Sequence, residues 1–329
     1  MKKSILGTLI VLMFVAVGVA AAPPITFTFS DVHASKTATE TDTFAVNNAG
    51  MIAGDYVDAK SVQHAMILAG KKLTTVNHPN CTTSGGYPAA IAFYGINSAG
   101  AAAGFCTSTK TGLSEGFVYS GGKFSAINFP KSNGTQAIGI NDAGDVVGDY
   151  LDSANVQHAF VKKGAKYTSI DVTGDTLPYA WDINNSGQIL MFALDSASDY
   201  VSFVYNGKTF KKIADPKAAA TGTIARSLNN KGDVAGAYFN AAGDEIGFLY
   251  HGGKYYDVIN PKATTETKPD GVNDTLEMVG RYVNSTSATV GFKAITKTAA
   301  GDNFVSTTDT GARDSGERNL DRRQASNTP

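Results

Sequence analysis

The sequence predicts an all-β fold assembled from six copies of one structural unit, and three observations support this prediction. One phrase recurs: an aliphatic residue, Asn, two small or polar residues, usually Gly, then three residues and usually a second Gly. Its copies lie 43 to 50 residues apart, a period typical of repeat architectures. The 35 glycines, with plentiful Thr and Tyr, suit short strands joined by turns. The repeated asparagines are Asn47, Asn97, Asn141, Asn184, Asn229 and Asn273.

The third copy shows most clearly how one unit is built. Residues 136–141 and 145–151 read as two strands joined by a turn, since Asn141 and Gly144 tolerate the positive φ angles that turns require. Residues 158–162 and 166–172 read as two further strands with a tight connection between them. Runs of four to eight residues separated by turn signals are typical of antiparallel hairpins. Each unit is therefore predicted to be a four-stranded antiparallel sheet.

Six such units describe a six-bladed β-propeller, and the chain ends support a closed ring. The sixth unit has strands at 270–273, 276–283 and 289–295 but no convincing fourth. At the other end of the chain, residues 25–32 resemble an unpaired fourth strand. We expect this N-terminal strand to complete the last blade and so remove an exposed sheet edge. An open β-helix, the alternative, gives no reason for two complementary incomplete ends.

The second Gly of the phrase lies inside a strand, where glycine costs stability unless another group approaches closely. We expect it to allow packing against the next blade. Met191 replaces this glycine in the fourth unit. The contact of that blade is therefore predicted to be the most distorted.

The two ends of the chain divide it into three parts. Residues 1–22 read as a signal peptide, because Lys2 and Lys3 precede an apolar run and three alanines. Residues 23–297 form the predicted propeller, and residues 298–329, rich in Gly, Ser, Thr, Asp and Arg, form a predicted disordered tail. No later stretch is long and apolar enough to cross a membrane as a helix. We expect a secreted protein, extracellular or periplasmic, and a monomer.

The charge and the cysteines limit the partners and describe the compartment. With a net charge of −1 and 17% charged residues, the chain offers no basic patch for a nucleic acid. Cys81 and Cys106 lie in the one unit interval that is longer than the others. In an oxidising compartment they are predicted to form a disulfide that closes this insertion. Two free buried thiols are the alternative.

A second recurring phrase opens the third strand of each unit. It is His64-Ala65-Met66 in the first unit, Glu115-Gly116-Phe117 in the second and His158-Ala159-Phe160 in the third, and later units end in Ser-Phe or Gly-Phe. Together with the Ile-Asn-x-x-Gly phrase, this resembles the extracellular HAF repeats, named for His-Ala-Phe. The resemblance covers the chain up to about residue 296. It implies an extracellular repeat protein and brings no reaction or catalytic residue with it.

Two nearly identical segments contain candidate functional side chains. Each is a hairpin that is expected to bring Asp58 near His64 and Asp152 near His158. Such a pair could bind a cation or act as an acid and base, but repetition favours a structural role that fixes the hairpin. Calcium remains possible as a cofactor, although no Asp-x-Asp-x-Asp-Gly loop occurs, and the histidines show no zinc-ligand spacing. No nucleophile elbow, phosphate loop or dinucleotide motif is present.

The position three residues before each repeated Asn varies where its neighbours do not. If the first strand of each blade is innermost, these side chains lie near the central channel, where Trp181 could stack on a sugar ring and Tyr94, Arg226 and Asp270 could complete a ligand site. The alternative is that they only pack between blades. The six residues are Phe44, Tyr94, Ile138, Trp181, Arg226 and Asp270.

These observations predict a secreted binding or interaction module that recognises a surface polysaccharide or another protein through loops at one mouth of a rigid ring. The alternative is a propeller-type glycan hydrolase or lyase with acids drawn from several blades. The sequence shows no polar cluster that stands outside the repeats, which favours binding.

Overall fold

The computed structural model describes residues 25–81 and 91–298, which form six four-stranded antiparallel sheets arranged as the blades of a β-propeller. The first strand, β1 (Ile25–Val32), belongs to the last blade. Blade 1 contains β2 (Glu40–Val46), β3 (Met51–Val57), β4 (Gln63–Ala69) and β5 (Lys72–Val76). Blade 2 contains β6 (Ala92–Ile96), β7 (Ala102–Thr107), β8 (Ser114–Ser120) and β9 (Lys123–Ile127). Blade 3 contains β10 (Thr135–Ile140), β11 (Val146–Leu151), β12 (Gln157–Lys163) and β13 (Lys166–Ile170).

The second half of the ring follows the same order. Blade 4 contains β14 (Thr176–Ile183), β15 (Ile189–Leu194), β16 (Tyr200–Tyr205) and β17 (Phe210–Ile213). Blade 5 contains β18 (Thr223–Leu228), β19 (Val234–Phe239), β20 (Glu245–His251) and β21 (Lys254–Val258). Blade 6 contains β22 (Thr267–Val272), β23 (Met278–Val283) and β24 (Thr289–Thr298), and β1 is its fourth strand.

The ring closes through the N-terminal strand. β1 pairs with β24 in antiparallel register from Ile25 opposite Thr298 to Val32 opposite Gly291. This confirms the predicted six-bladed propeller and its closure, and β24 runs three residues beyond the predicted end of the third strand. The predicted signal peptide and residues 299–329 of the predicted tail lie outside the described residues. No helix in the described part of the chain is long and apolar enough to span a bilayer.

The inner strand of each blade lines a central channel, and the antiparallel order places two kinds of loop on its two faces. Turns between the first and second strands, which carry the repeated Asn, lie on what we call the lower face. Turns between the second and third strands, together with the connections between blades, lie on the upper face.

The recurring His-Ala-Phe position explains how neighbouring blades pack. Its aromatic residue fills the space between blades, and Phe117, Phe160, Phe248 and Phe292 are almost completely buried. The residue before it is small because the inner strand of the next blade lies against it: a Cβ added at Gly116 would contact Ala137. Ala65 and Ala159 occupy the same position in blades 1 and 3 and are fully buried, so the space between blades is closely filled and accepts only small side chains there.

The second Gly of the Asn phrase serves a different contact from the one predicted. Cβ atoms at Gly54, Gly104, Gly148, Gly236 and Gly280 would overlap a carbonyl oxygen of the inner strand in the same blade, so the prediction that these glycines pack against the next blade was wrong. The inner strands bulge at this point, with one extra residue opposite the second strand. Glycine is needed in the second strand because the bulge brings the backbone of the inner strand too close for a Cβ atom.

The structure joins Cys81 to Cys106 by a disulfide, with Cα atoms 5.7 Å apart. Cys81 lies in the connection that leaves blade 1, and Cys106 is fully buried on β7 in blade 2. The bond therefore ties the longest connection between blades to the ring.

Candidate binding site

The six repeated asparagines form a closed ring at the lower end of the channel. Each side-chain amide donates to the backbone carbonyl of the next repeated Asn, at 2.8 to 3.3 Å, and Asn273 returns the chain to Asn47. Within each blade the side-chain oxygen accepts backbone N–H groups of its own turn, as Asn229 does from Lys231 and Asp233 at 2.9 Å. All six residues are buried. The repeated Asn therefore has a structural role: its side chain hydrogen-bonds each blade to the next.

The variable residues three positions earlier are the bulge residues of the inner strands. In each blade the register shifts across this one position, as between Thr43 and Ala45 in blade 1 and between Ala225 and Ser227 in blade 5. A bulge redirects the side chain of its extra residue. The bulge residues are Phe44, Tyr94, Ile138, Trp181, Arg226 and Asp270.

Three bulge residues fill the channel with apolar side chains. Phe44, Tyr94 and Ile138 are buried in one cluster with Phe105, and Trp181 packs against it. The Tyr94 ring stacks on Phe44 with centroids 4.7 Å apart and meets Trp181 edge-on at 6.1 Å. A space of only about 80 Å³ remains between this cluster and the Asn ring, at the lower end of the channel. Tyr94 is thus a core residue of the channel, buried to 6% exposure.

Besides these three and Trp181, the two remaining bulge residues, Arg226 and Asp270, form an ion pair. Arg226 Nε lies 3.4 Å from Asp270 Oδ1, and its guanidinium also lies 5.7 Å from the Trp181 ring centroid. Asp270 is buried and pairs with Arg281 at 2.9 Å. Burial raises the pKa of Asp270, and the charges of Arg281 and Arg226 oppose that rise. Asp270 therefore serves to hold two arginines in place within the channel wall.

Blade 4 departs from the common pattern where Met191 replaces the strand glycine. Besides the shared bulge at Trp181, β14 has a second register shift between Thr176 and Tyr179. Leu177 within it has a φ of +50° and is 46% exposed. The prediction concerned the contact of blade 4 with its neighbour, whereas the register shift in the structure lies between the first two strands of the blade. In the other blades a Cβ at this position would overlap a carbonyl oxygen of the inner strand, and Met191 carries such a Cβ.

The double bulge opens a pocket of about 240 Å³ between blades 4 and 5 on the upper face. Tyr179 stacks on Phe192 with centroids 4.7 Å apart, Trp181 lies 5.3 Å from Phe192, and Tyr200 closes one side. Arg226 supplies the polar group at the inner end. We call this the blade-4 pocket; its lining residues are Leu177, Tyr179, Trp181, Phe192, Leu194, Tyr200, Ile224 and Arg226.

Of the four predicted ligand residues, the structure places Trp181 and Arg226 in the blade-4 pocket and Tyr94 and Asp270 in the channel. Sequence reasoning missed Tyr179, Phe192 and Tyr200. The signal that pointed to them was Met191, since the one blade without the strand glycine is the one whose inner strand carries a second bulge.

The two predicted Asp–His pairs are formed at equivalent hairpins. His64 Nε2 lies 3.3 Å from Asp58 Oδ2, and His158 Nε2 lies 3.5 Å from Asp152 Oδ2. The second oxygen of Asp58 accepts two backbone N–H groups of its turn, and Tyr56 packs beside His64. Each pair fixes a hairpin, which supports the structural alternative.

A possible metal group is accounted for by the disulfide. A ring nitrogen of His78 lies within 4.8 Å of the sulfurs of Cys81 and Cys106. Zinc requires thiolate sulfurs, and here the two sulfurs are bonded to each other. These three side chains therefore lie together because of the disulfide that joins Cys81 to blade 2.

Comparison with solved structures supports the fold. A lectin from Aleuria aurantia, solved as a mutant in complex with Fucα1-6GlcNAc, matches with a TM-score of 0.51 at 14% identity over 78% of this chain and 91% of that one. SapL1 lectin with α-methyl fucoside matches with a TM-score of 0.50 at 12% identity over 80% and 97%. TolB from Acinetobacter baumannii gives 0.51 at 12% over 74% and 63%.

No protein-family model and no curated protein matches the sequence. At identities this low, the structural likeness shows a shared fold, and this chain has the β-propeller architecture of those proteins.

Proposed function

We propose that this protein is a secreted carbohydrate-binding module of HAF-type repeats that recognises a glycan in the blade-4 pocket. The observation that carries the proposal is the group of aromatic side chains beside the second bulge of β14, where blade 4 departs from the repeat. Sugar rings present apolar C–H faces that pack on aromatic rings, and their hydroxyl groups accept hydrogen bonds from a guanidinium. The structural neighbours include lectins solved with fucose-containing ligands.

The pocket favours binding over catalysis. No Asp or Glu lines it among the described residues, whereas glycoside hydrolysis needs two carboxyl groups flanking the scissile bond. Arg226 is held by Glu245 at 3.4 Å and by Asp270, so its donor groups are oriented before a ligand arrives. Orientation in advance lowers the entropic cost of binding.

Secretion is part of the proposal and rests on two features. The N-terminal segment has the charge and apolar pattern of a signal peptide. The Cys81–Cys106 disulfide suits an oxidising compartment.

Trp181 is the single tryptophan of the chain, so its fluorescence reports directly on the pocket. We expect a glycan array to identify a ligand for the mature protein and titration with it to change this fluorescence. Calorimetry should then show that Trp181→Ala weakens binding at least about tenfold, equal to 1.4 kcal/mol, with Trp181→Phe intermediate.

Phe210→Ala is the matched control, because Phe210 is an exposed aromatic residue on the outer strand of the same blade. It should bind as the wild type does. Equal affinity in wild type and Trp181→Ala would place the ligand elsewhere, and release of cleaved sugar would favour a hydrolase or lyase.

A further inference from the structure

Arg226 is the one charged side chain in the lining of the blade-4 pocket, within the part of the chain that the structure describes, and its charge is already paired. Its Nη2 lies 3.4 Å from Glu245 Oε1, and its Nε lies 3.4 Å from Asp270 Oδ1. The side chains of Arg226, Glu245 and Asp270 are only 13%, 11% and 1% exposed, so salt screens these pairs weakly. The two carboxylates therefore oppose the positive charge of Arg226 before a ligand arrives.

These pairs belong to a larger set of charges that joins blades 5, 6 and 1. Lys268 lies 2.8 Å from Glu245 and 2.7 Å from Glu266, and Asp270 also pairs with Arg281 at 2.9 Å. Four carboxyl groups accompany three basic groups, so the set has no surplus positive charge to offer an anion. We call it the Arg226 charge cluster; its members are Asp42, Arg226, Glu245, Glu266, Lys268, Asp270 and Arg281.

The other side chains that line the pocket are apolar or uncharged, with Tyr179, Trp181 and Phe192 among them. A carboxylate or sulfate that entered would lose hydration, and burying an ion costs free energy unless an opposite charge pairs with it. Glu245 and Asp270 already occupy that opposite charge. A sugar hydroxyl group has a smaller desolvation cost and still accepts a hydrogen bond from the guanidinium.

We propose that the blade-4 pocket selects a neutral sugar over an acidic one, because Glu245 and Asp270 cancel the charge of Arg226. This inference rests on the proposed glycan binding in that pocket and names the class of sugar. Glu245 does not line the pocket; it borders a separate groove between blades 5 and 6. It is therefore a positioning residue that acts on the ligand through Arg226, and Lys268 holds it there.

The first test is a glycan array that carries neutral glycans beside their sulfated or uronic acid counterparts, followed by calorimetry on the best matched pair. We expect the wild-type mature protein to bind the neutral member at least about tenfold more tightly. Its affinity should change less than about twofold between about 0.05 and 0.5 M NaCl, since salt weakens attraction between opposite charges and a neutral ligand has none.

The second test is Glu245→Gln, which keeps the shape of the side chain and removes its charge. The ratio of neutral to acidic affinity should fall at least about tenfold, and binding of the acidic glycan should become salt-dependent. Glu266→Gln is the matched control, because it removes the same charge from a residue that pairs with Lys268 and not with Arg226. Its ratio should stay within about threefold of the wild-type value. A general loss of structure would weaken both ligands together and leave the ratio unchanged.

The outcomes separate this inference from the proposed function. Tighter binding of acidic glycans by the wild type, with a change in Trp181 fluorescence, would overturn the selectivity and leave glycan binding in place. A neutral preference that persists unchanged in Glu245→Gln would remove Glu245 from its positioning role. No binding of either class would overturn the proposed function and this inference with it. If Glu245→Gln fails to fold, the matched pair and the salt dependence of the wild type decide the selectivity.

Discussion

The two levels of the central channel are built by the same six strands, yet they differ in what they repeat. At the lower level one residue type, Asn, recurs six times and each copy bonds to the next blade. Three residues earlier, at the bulges, the six side chains include aromatic, aliphatic, basic and acidic groups. The two levels therefore have different roles. Identical Asn residues close the ring, whereas the bulges direct variable side chains toward the channel and the upper face without disturbing closure.

The largest effect is expected at the glycine that lets each inner strand bulge. In Gly148→Ala the new Cβ would overlap the Gln136 carbonyl oxygen, and moving β11 away from it would break the packing of β11 against β14 in blade 4. We expect a loss of more than about 4 kcal/mol in the free energy of unfolding, with little soluble protein. Urea unfolding and soluble yield measure this.

Gly164→Ala is the control for that substitution. Gly164 lies in the turn between β12 and β13, where an added Cβ meets nothing within 4 Å, but its φ is +56°. The cost there should be about 1–2 kcal/mol, from backbone conformation alone. Similar losses in the two variants would show that the bulge does not require the strand glycine.

The fold was predictable because repetition is visible in sequence. The Asn phrase gave the number of blades, and residues 25–32 gave the closure, since an incomplete last unit needs a strand from elsewhere. The candidate pocket was only partly predictable: variability marked Trp181 and Arg226, which line it, but it equally marked Tyr94, which is buried in the channel cluster. Tyr179, Phe192 and Tyr200 became a pocket only through the second bulge of β14, a register shift that local propensity does not report.

The next effect concerns Asp149, which lies above the Asn ring and takes no part in it. Burial raises its pKa to about 8, well above the unfolded value of 3.8. The folded protein therefore binds this proton more tightly than the unfolded chain does. The stability that comes from the bound proton is complete below about pH 4 and is lost as the pH rises toward 8, at about 1.4 kcal/mol per pH unit.

Asp149→Asn should remove that part of the pH dependence, because an amide does not titrate. Urea unfolding of both proteins at pH 5, 6 and 7 gives two curves, and the wild-type curve should fall more steeply with pH. The carboxyl groups of Asp42 and Asp55 are present in both proteins and cancel in the difference. Parallel curves would mean that Asp149 is ionised in the folded protein and has a partner.

The smallest of these effects distinguishes the hydrogen bond between blades from the hydrogen bonds within each turn. Asn229 and Asn240 make the same local bonds: each side-chain oxygen accepts two backbone N–H groups, and each amide donates to the Asp four residues later. Only Asn229, which is buried, also donates to the next blade, through the Asn273 carbonyl at 3.0 Å.

We expect Asn229→Ala to cost about 2–3 kcal/mol and Asn240→Ala about 1 kcal/mol, since a buried carbonyl left without a donor adds its own penalty. The difference between the two, measured by urea unfolding, is the contribution of one ring bond. Neither side chain lines the blade-4 pocket, so affinity for the proposed glycan should stay unchanged in both variants. Equal costs would assign the repeated Asn to its turn alone, and closure of the ring would then rest on the packing between blades and on the pairing of β1 with β24.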